Sequence, residues 1–271
     1  MRISLSMKFL RNKNAIMKKL LILSFILLSV INVSACKCVY ETLAYNYQNS
    51  DFAGIIRILK VYDENTEQRT YKADIEIEKT YKGKAFKTVN VSGLIGNSYS
   101  GACEINVLPD ERYLIFLNKY NNTYSISSCT PKSKLENKPT KAENLQLKNL
   151  SEAFTCIDNN KFRFMGLQFT RCYDETQTES RSDLSKISGF KPKQPFAIYK
   201  VKIDDTSKIQ EITPFTTFGS KDSMIENILK TKMKVSTPTS FWNPNPKEAL
   251  LFLSYHKENI NDPYGEVISC D

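Results

Sequence analysis

The sequence predicts a mainly β protein, with a small five-stranded closed barrel in its first half and a smaller α+β unit after it. Three observations predict this. Segments rich in β-branched and aromatic residues follow one another between residues 52 and 128, separated by short polar turns. One short stretch ahead of them carries helical spacing. Beyond residue 195 the pattern becomes strand, strand, helix and a last strong strand. The 271 residues, 41% apolar and 25% charged, are enough for one or two domains with a sizeable core, and they exclude collagenous and disordered classes.

The chain opens on what reads as an export signal. Leu20 to Ile31 is an uncharged apolar run behind Lys18-Lys19 and ahead of Asn32-Val33-Ser34-Ala35, the three-part layout of a signal peptide. A membrane-spanning helix needs roughly 20 apolar residues, so residues 1–35 are assigned to a cleaved signal. Met17 begins a compact signal by itself, which leaves residues 1–16 as either a long basic lead or sequence ahead of the true start. Arg2, Lys8, Arg11, Lys13, Lys18 and Lys19 all fall in this segment, which has no acidic residue. Without it, 32 basic residues face 29 acidic ones and the formal charge falls from +9 to +3. Nucleic acid is therefore not an expected partner.

Two cleavage readings converge on Cys36. Val33 and Ala35 satisfy the small-residue rule of ordinary signal peptidase, while Val-Ser-Ala-Cys also resembles a bacterial lipobox that would attach lipid to Cys36. Both stay open, and only the second brings the protein to a membrane. Either way the mature chain is expected outside the cytoplasm: secreted, periplasmic or on the outer cell surface.

The elements follow in order. Val39, Leu43 and Tyr47 repeat every four residues, which predicts a short helix over Val39 to Asn49. Phe52 to Tyr62, Thr70 to Tyr81 and Phe86 to Val91 read as strands. In the middle one Ala73, Ile75 and Ile77 alternate with Lys72, Asp74, Glu76 and Glu78, giving one wet face. Lys82-Gly83-Lys84 and Gly96 to Gly101 supply turns, and Tyr113 to Asn118 with Thr123 to Ser128 predict a hairpin about Lys119 to Asn122.

Seven cysteines, at positions 36, 38, 103, 129, 156, 172 and 270, are expected to pair in an oxidising compartment, and the odd count leaves one free, intermolecular or lipidated. Cys156 and Cys172 bracket an apolar stretch and could bridge each other. Cys-x-Cys at 36 and 38 behind the signal, Asp51-Phe52-Ala53-Gly54, Glu78-Lys79-Thr80-Tyr81-Lys82-Gly83, Cys103, Tyr113-Leu114-Ile115-Phe116 and Ser128-Cys129-Thr130 together resemble the tissue-inhibitor-of-metalloproteinases (TIMP) family and its bacterial relatives. The netrin-like domain of that family is similar to an OB-fold Greek-key barrel, and the resemblance covers residues 36–135.

The resemblance implies that Cys36 pairs with Cys103 and Cys38 with Cys129. Each bridge would close a loop of roughly 70 to 90 residues and contribute on the order of 4 kcal/mol on the chain-entropy model. In the animal inhibitors the α-amine and carbonyl of the first cysteine chelate a protease's catalytic zinc, so the resemblance also implies that role for Cys36. A partly neutral amine and a zinc with an open position make such chemistry reasonable. Those inhibitors carry a small hydroxyl residue where this chain has Lys37, whose ammonium would lose hydration in an apolar pocket. Non-catalytic binding of a protein or cell-surface partner is accordingly the leading expectation. Metalloprotease inhibition through Cys36 and a lipoprotein anchored at Cys36 are its alternatives.

In the second half, Pro131 to Lys141 reads as a polar linker, and Leu147, Leu150 and Phe154 predict a helix over 143–155, so residues 136–160 are assigned to linker and helix. Residues 161–271 form the α+β unit. There Phe162 to Phe169, Phe196 to Ile203, Lys208 to Phe215 and Leu250 to Tyr255 are expected strands, and Ser220 to Met233 an amphipathic helix presenting Met224, Ile225, Ile228 and Leu229. Glu175 to Lys186 reads as a solvated loop. The strand-helix-strand order resembles the small C-terminal domain of TonB-type energy-coupling proteins. A rival reading takes Leu250 to Leu253 plus Cys270 as an echo of Leu114 to Leu117 plus Cys129.

No catalytic constellation emerges. His256, the sole histidine, has no second histidine for a zinc triad. Gly96-Asn97-Ser98-Tyr99-Ser100 misses the last glycine of a nucleophile elbow, and no phosphate-binding glycine loop exists. The expectation is a non-enzyme with no cofactor and no metal.

Overall fold

Thr42 takes an extended backbone and its Oγ1 accepts the Tyr45 N–H at 3.0 Å, so helix α1 runs over Leu43–Asn49 and begins later than the spacing from Val39 predicts. The structure is a computed structural model describing residues 38–39, 41–96, 103–174, 183–236, 247–256 and 266–268. These residues belong to one unit of the chain, Cys38–Asp271. The residues assigned to the signal peptide, together with Cys36 and Cys270, lie outside the described residues.

Two mixed sheets make the protein mainly β. The first contains β1 (Phe52–Asn65), β2 (Thr70–Lys82), β3 (Thr88–Ser92), β4 (Arg112–Leu117), β5 (Lys119–Tyr120), β6 (Thr123–Ile126) and β7 (Lys132–Leu135), in the order β5-β6-β3-β2-β1-β4-β7. All its pairings are antiparallel except β3 with β6. β5, at one end of this path, begins just past the end of β4, which lies next to the other end.

The alternation expected in β2 is realised: Tyr71, Ala73 and Ile75 are buried while Lys72 and Glu76 are exposed. By contrast β4 is buried throughout, because Tyr113, Ile115 and Leu117 join one core and Leu114 and Phe116 another. Gly54 marks a register shift between β1 and β2, where a Cβ would lie 2.5 Å from the Lys79 carbonyl oxygen. No other residue fits there without displacing backbone.

The expected linker over Pro131 to Lys141 is corrected. Lys132–Leu135 is strand β7, paired antiparallel with β4, and the Pro131 carbonyl accepts the Phe116 N–H at 3.0 Å. An edge strand needs one apolar face at most, and lysines there discourage further pairing, so it carries little apolar pattern. Helix α2 (Lys141–Asn159) follows, capped by Thr140, whose Oγ1 accepts the Glu143 N–H at 3.1 Å.

The strand expected over Phe162 to Phe169 is also corrected. A turn bounded by Asn160 and Gly166 occupies most of it, and β8 spans Phe169–Asp174. The second sheet adds β9 (Phe196–Ile203), β10 (Ile209–Thr216), β11 (Met233–Ser236), β12 (Glu248–His256) and β13 (Glu266–Ile268). Its order is β10-β9-β12-β8-β11, with β13 also on β12. Helix α3 (Asp222–Lys232) buries Ile225 and Leu229 but leaves Met224 exposed. Of the loop expected over Glu175 to Lys186, only residues 183–186 are described, and Leu184 among them is fully buried.

The central strands β9 and β12 are covered on both faces. Tyr199, Val201, Leu251 and Leu253 pack with α3, while Phe196, Ile198, Leu250 and Phe252 join a cluster that also holds Ala53, Ile55, Leu114 and Phe116 of the first sheet. Phe154 of α2 lies in that shared cluster, its ring stacked on Tyr47 of α1 at 3.9 Å.

Candidate functional site

The cysteines organise one corner of the first sheet. Cys38 and Cys129 form a disulfide with a Cα–Cα distance of 5.0 Å, spanning 91 residues of chain. Cys129 sits in a turn in which Thr130 N–H donates to the Ser127 carbonyl at 3.2 Å and Thr130 Oγ1 accepts the Ser127 N–H at 2.8 Å. Lys132, at the start of β7, aims its Nζ back into this turn. It donates to the carbonyls of Ser127 at 2.9 Å, Ser128 at 3.2 Å and Thr130 at 3.2 Å. Burial pushes the Lys132 ammonium below the ordinary lysine range.

Cys103 is brought to the same corner, because the Ser128 N–H donates to its carbonyl at 3.1 Å, and Cys103 is itself disulfide-bonded. Its expected partner, Cys36, lies outside the described residues, as does Lys37. Beside the Cys38 bridge, Val39 is 72% exposed. A chain segment bridged to a turn held by three lysine hydrogen bonds presents that apolar side chain from a stiff support, which lowers the ordering cost of any contact made through it.

The Cys156–Cys172 bridge is corrected. Cys156 is a free thiol carried near the end of α2, where Asn160 Nδ2 approaches its sulfur at 3.7 Å, while Cys172 is disulfide-bonded in β8. The two sulfurs belong to different cores: Cys156 packs against the cluster shared by the sheets, and Cys172 is buried in the cluster under α3.

Sequence reasoning missed the most deeply buried charge among the described residues. The Arg112 side chain is 2% exposed; its Nε donates to Glu78 Oε2 at 2.8 Å and its Nη1 to Glu143 Oε1 at 2.9 Å and to the Glu136 carbonyl. Arg57 Nη2 reaches Glu78 at 2.7 Å, so two cations face two carboxylates. Burial alone would raise the Glu78 carboxyl, but Arg112 and Arg57 outweigh it and hold it below the ordinary carboxylate range. Glu143 also accepts the Glu136 N–H at 3.0 Å, which ties the first turn of α2 to the end of β7. Thr140-x-x-Glu143 is a capping-box spacing, and that signal in the sequence could have found Glu143. Arg112 has no such signal, since it reads as the polar flank of an apolar strand.

Beside this network opens a cleft of about 410 Å³, lined by Ile55, Glu78, Lys79, Arg112, Leu147 and Lys148 among others. The Arg112 donors are spent on Glu78, Glu143 and Glu136, so the network joins helix to sheet. His256 closes β12, and the Asn97 to Ser100 segment lies outside the described residues. No family model matches this chain, and no curated protein matches it.

Proposed function

We propose that this is an exported, disulfide-stabilised, non-catalytic binding protein with a TIMP-like domain, which engages a protein or cell-surface partner through the corner built by Cys38, Val39, Cys103 and Cys129. The observation that carries the reading is the Cys38–Cys129 bridge, with Cys103 drawn alongside it by the Ser128 hydrogen bond. Cys36 stands two residues before Cys38 in the sequence, and its pairing with Cys103 is the part of the proposal that the resemblance supplies. The strand pairing adds support. β1 pairs with both β2 and β4, β3 runs parallel to β6, and β5 continues from β4, as in a Greek-key sheet that curls towards an OB-like barrel. An intramolecular disulfide is consistent with an oxidising compartment outside the cytoplasm.

The exposure of Val39 next to the bridge favours one second reading, inhibition of a metalloprotease with the Cys36 amine on its zinc. Photo-crosslinking from position 39 in living cells, with position 120 as an exposed control, tests the main reading. It predicts adducts from position 39 only; none, or equal adducts from both, contradict it. Titrating the mature protein into a zinc metalloprotease assay separates the second reading, which requires stoichiometric loss of protease activity at micromolar protein. Lipid on Cys36 would acylate that amine, and intact mass measurement of the mature protein reads this directly.

A further inference from the structure

The turn that follows α2 displays two large apolar side chains to solvent. Phe162 is 76% and Met165 78% exposed, and they are three residues apart in a turn where Met165 N–H donates to the Phe162 carbonyl. Neither belongs to the corner described above. Between them Phe164 is buried and acts as the root of the turn, its ring edge-on to Phe169 at 5.8 Å and to Phe215 at 4.9 Å. Backbone bonds from Arg163 and Phe164 to the Asn160 carbonyl, at 2.8 and 3.1 Å, and from Leu167 to Phe164, at 2.9 Å, fix the turn further. Gln48 of α1 donates to the Leu167 carbonyl at 3.0 Å. The exposed pair is thus held on a rigid base, where little ordering would accompany contact.

The charges nearest the pair along the chain are of one sign. Between Asp158 and Asp174 the chain carries Lys161, Arg163 and Arg171 and no acidic residue. Lys161 Nζ lies 5.2 Å from the Phe162 ring centre, and the Arg163 guanidinium lies 4.5 Å over Phe215. An aromatic and a thioether side chain flanked by cations match the interface of a bilayer with acidic headgroups, where the rings enter the acyl boundary and the cations meet phosphates. Among the described residues no helix is long and apolar enough to cross a membrane, so such contact would be peripheral. We propose that the Lys161–Met165 turn inserts into the surface of a bilayer containing acidic lipids, independently of any lipid on Cys36.

The test reads the turn locally. In the full chain carrying Phe162→Trp, fluorescence is followed on adding phosphatidylcholine vesicles with or without an equal share of phosphatidylglycerol, including brominated lipid as quencher. The unsubstituted chain, with Trp242 its sole tryptophan, supplies the background. The expected result is a blue shift and quenching of the introduced indole on acidic vesicles, with partition roughly tenfold weaker on neutral ones. Adding Met165→Ser should weaken it by about another tenfold without lowering the melting temperature. An indole that stays in water while vesicles are present, including when the chain is captured by some other segment, overturns the proposal. An equal response to both lipid compositions overturns it too.

Discussion

At residue scale the chemistry is concentrated in Arg112, whose guanidinium is buried between two carboxylates and a carbonyl. Removing one member of such a group leaves the others buried and uncompensated, which costs more than the group contributes as a whole. Arg112→Met should therefore destabilise the protein by about 3 kcal/mol or more, measured by urea unfolding. The pH dependence follows from Glu78. Its folded carboxyl titrates below the ordinary range, so its stabilisation is present above the unfolded value, about 4.3, and disappears as pH falls through the folded value. Melting temperatures between pH 7 and pH 3 should fall steeply at the acid end in the natural chain. In Glu78→Gln that fall should be shallower, from a lower starting point at neutral pH. None of this was legible in a strand pattern, because Glu78 occupies a wet-face position of β2 and meets Arg112 only across the sheet.

Among the elements, those with two-sided burial or strict alternation were legible, and those without either were not. β2 alternates and β9 is a continuous apolar run, and both lie where the sequence places them, Phe196–Ile203 without displacement. β7 and β11 are four residues long and lie at sheet edges, too short for a pattern to announce them: β7 carries Lys132 and Lys134, and β11 buries only Met233 and Val235 on one face. The turn over residues 160–167 misled for the opposite reason. Its aromatics look like a strand, yet Phe164 alone is buried and Phe162 and Met165 face water. Cysteine spacing likewise says nothing of which core a residue faces, and for that reason the Cys156–Cys172 bridge was not foreseeable as wrong. With unreduced protein, alkylation followed by peptide mapping should modify Cys156 and leave Cys38, Cys103, Cys129 and Cys172 unmodified. The reaction should be slow near neutral pH, because burial raises the Cys156 thiol above its ordinary range.

On the scale of the whole molecule, the two sheets are joined by one cluster in which Phe154 touches Tyr47 and Phe116 while Phe196 and Phe252 enter from the second sheet. A division of the chain near residue 135, natural from composition, therefore does not divide this core. Shared burial predicts a single unfolding transition reported equally by probes in either sheet. Phe154→Ala should lower stability by about 3 to 5 kcal/mol while keeping the transition single; two separated transitions would show that the sheets are independent. Against that background the bridge of Cys38 to Cys129 is a further constraint of about 4 kcal/mol on the chain-entropy model, and it fixes the exposed Val39 in place. The most direct measurement is non-reducing peptide mapping of the mature protein purified from outside the cytoplasm. The expected product is a peptide containing Cys38 linked to one containing Cys129; recovery of Cys38 unlinked, or linked to any other cysteine, would overturn the bridge and the reading built on it.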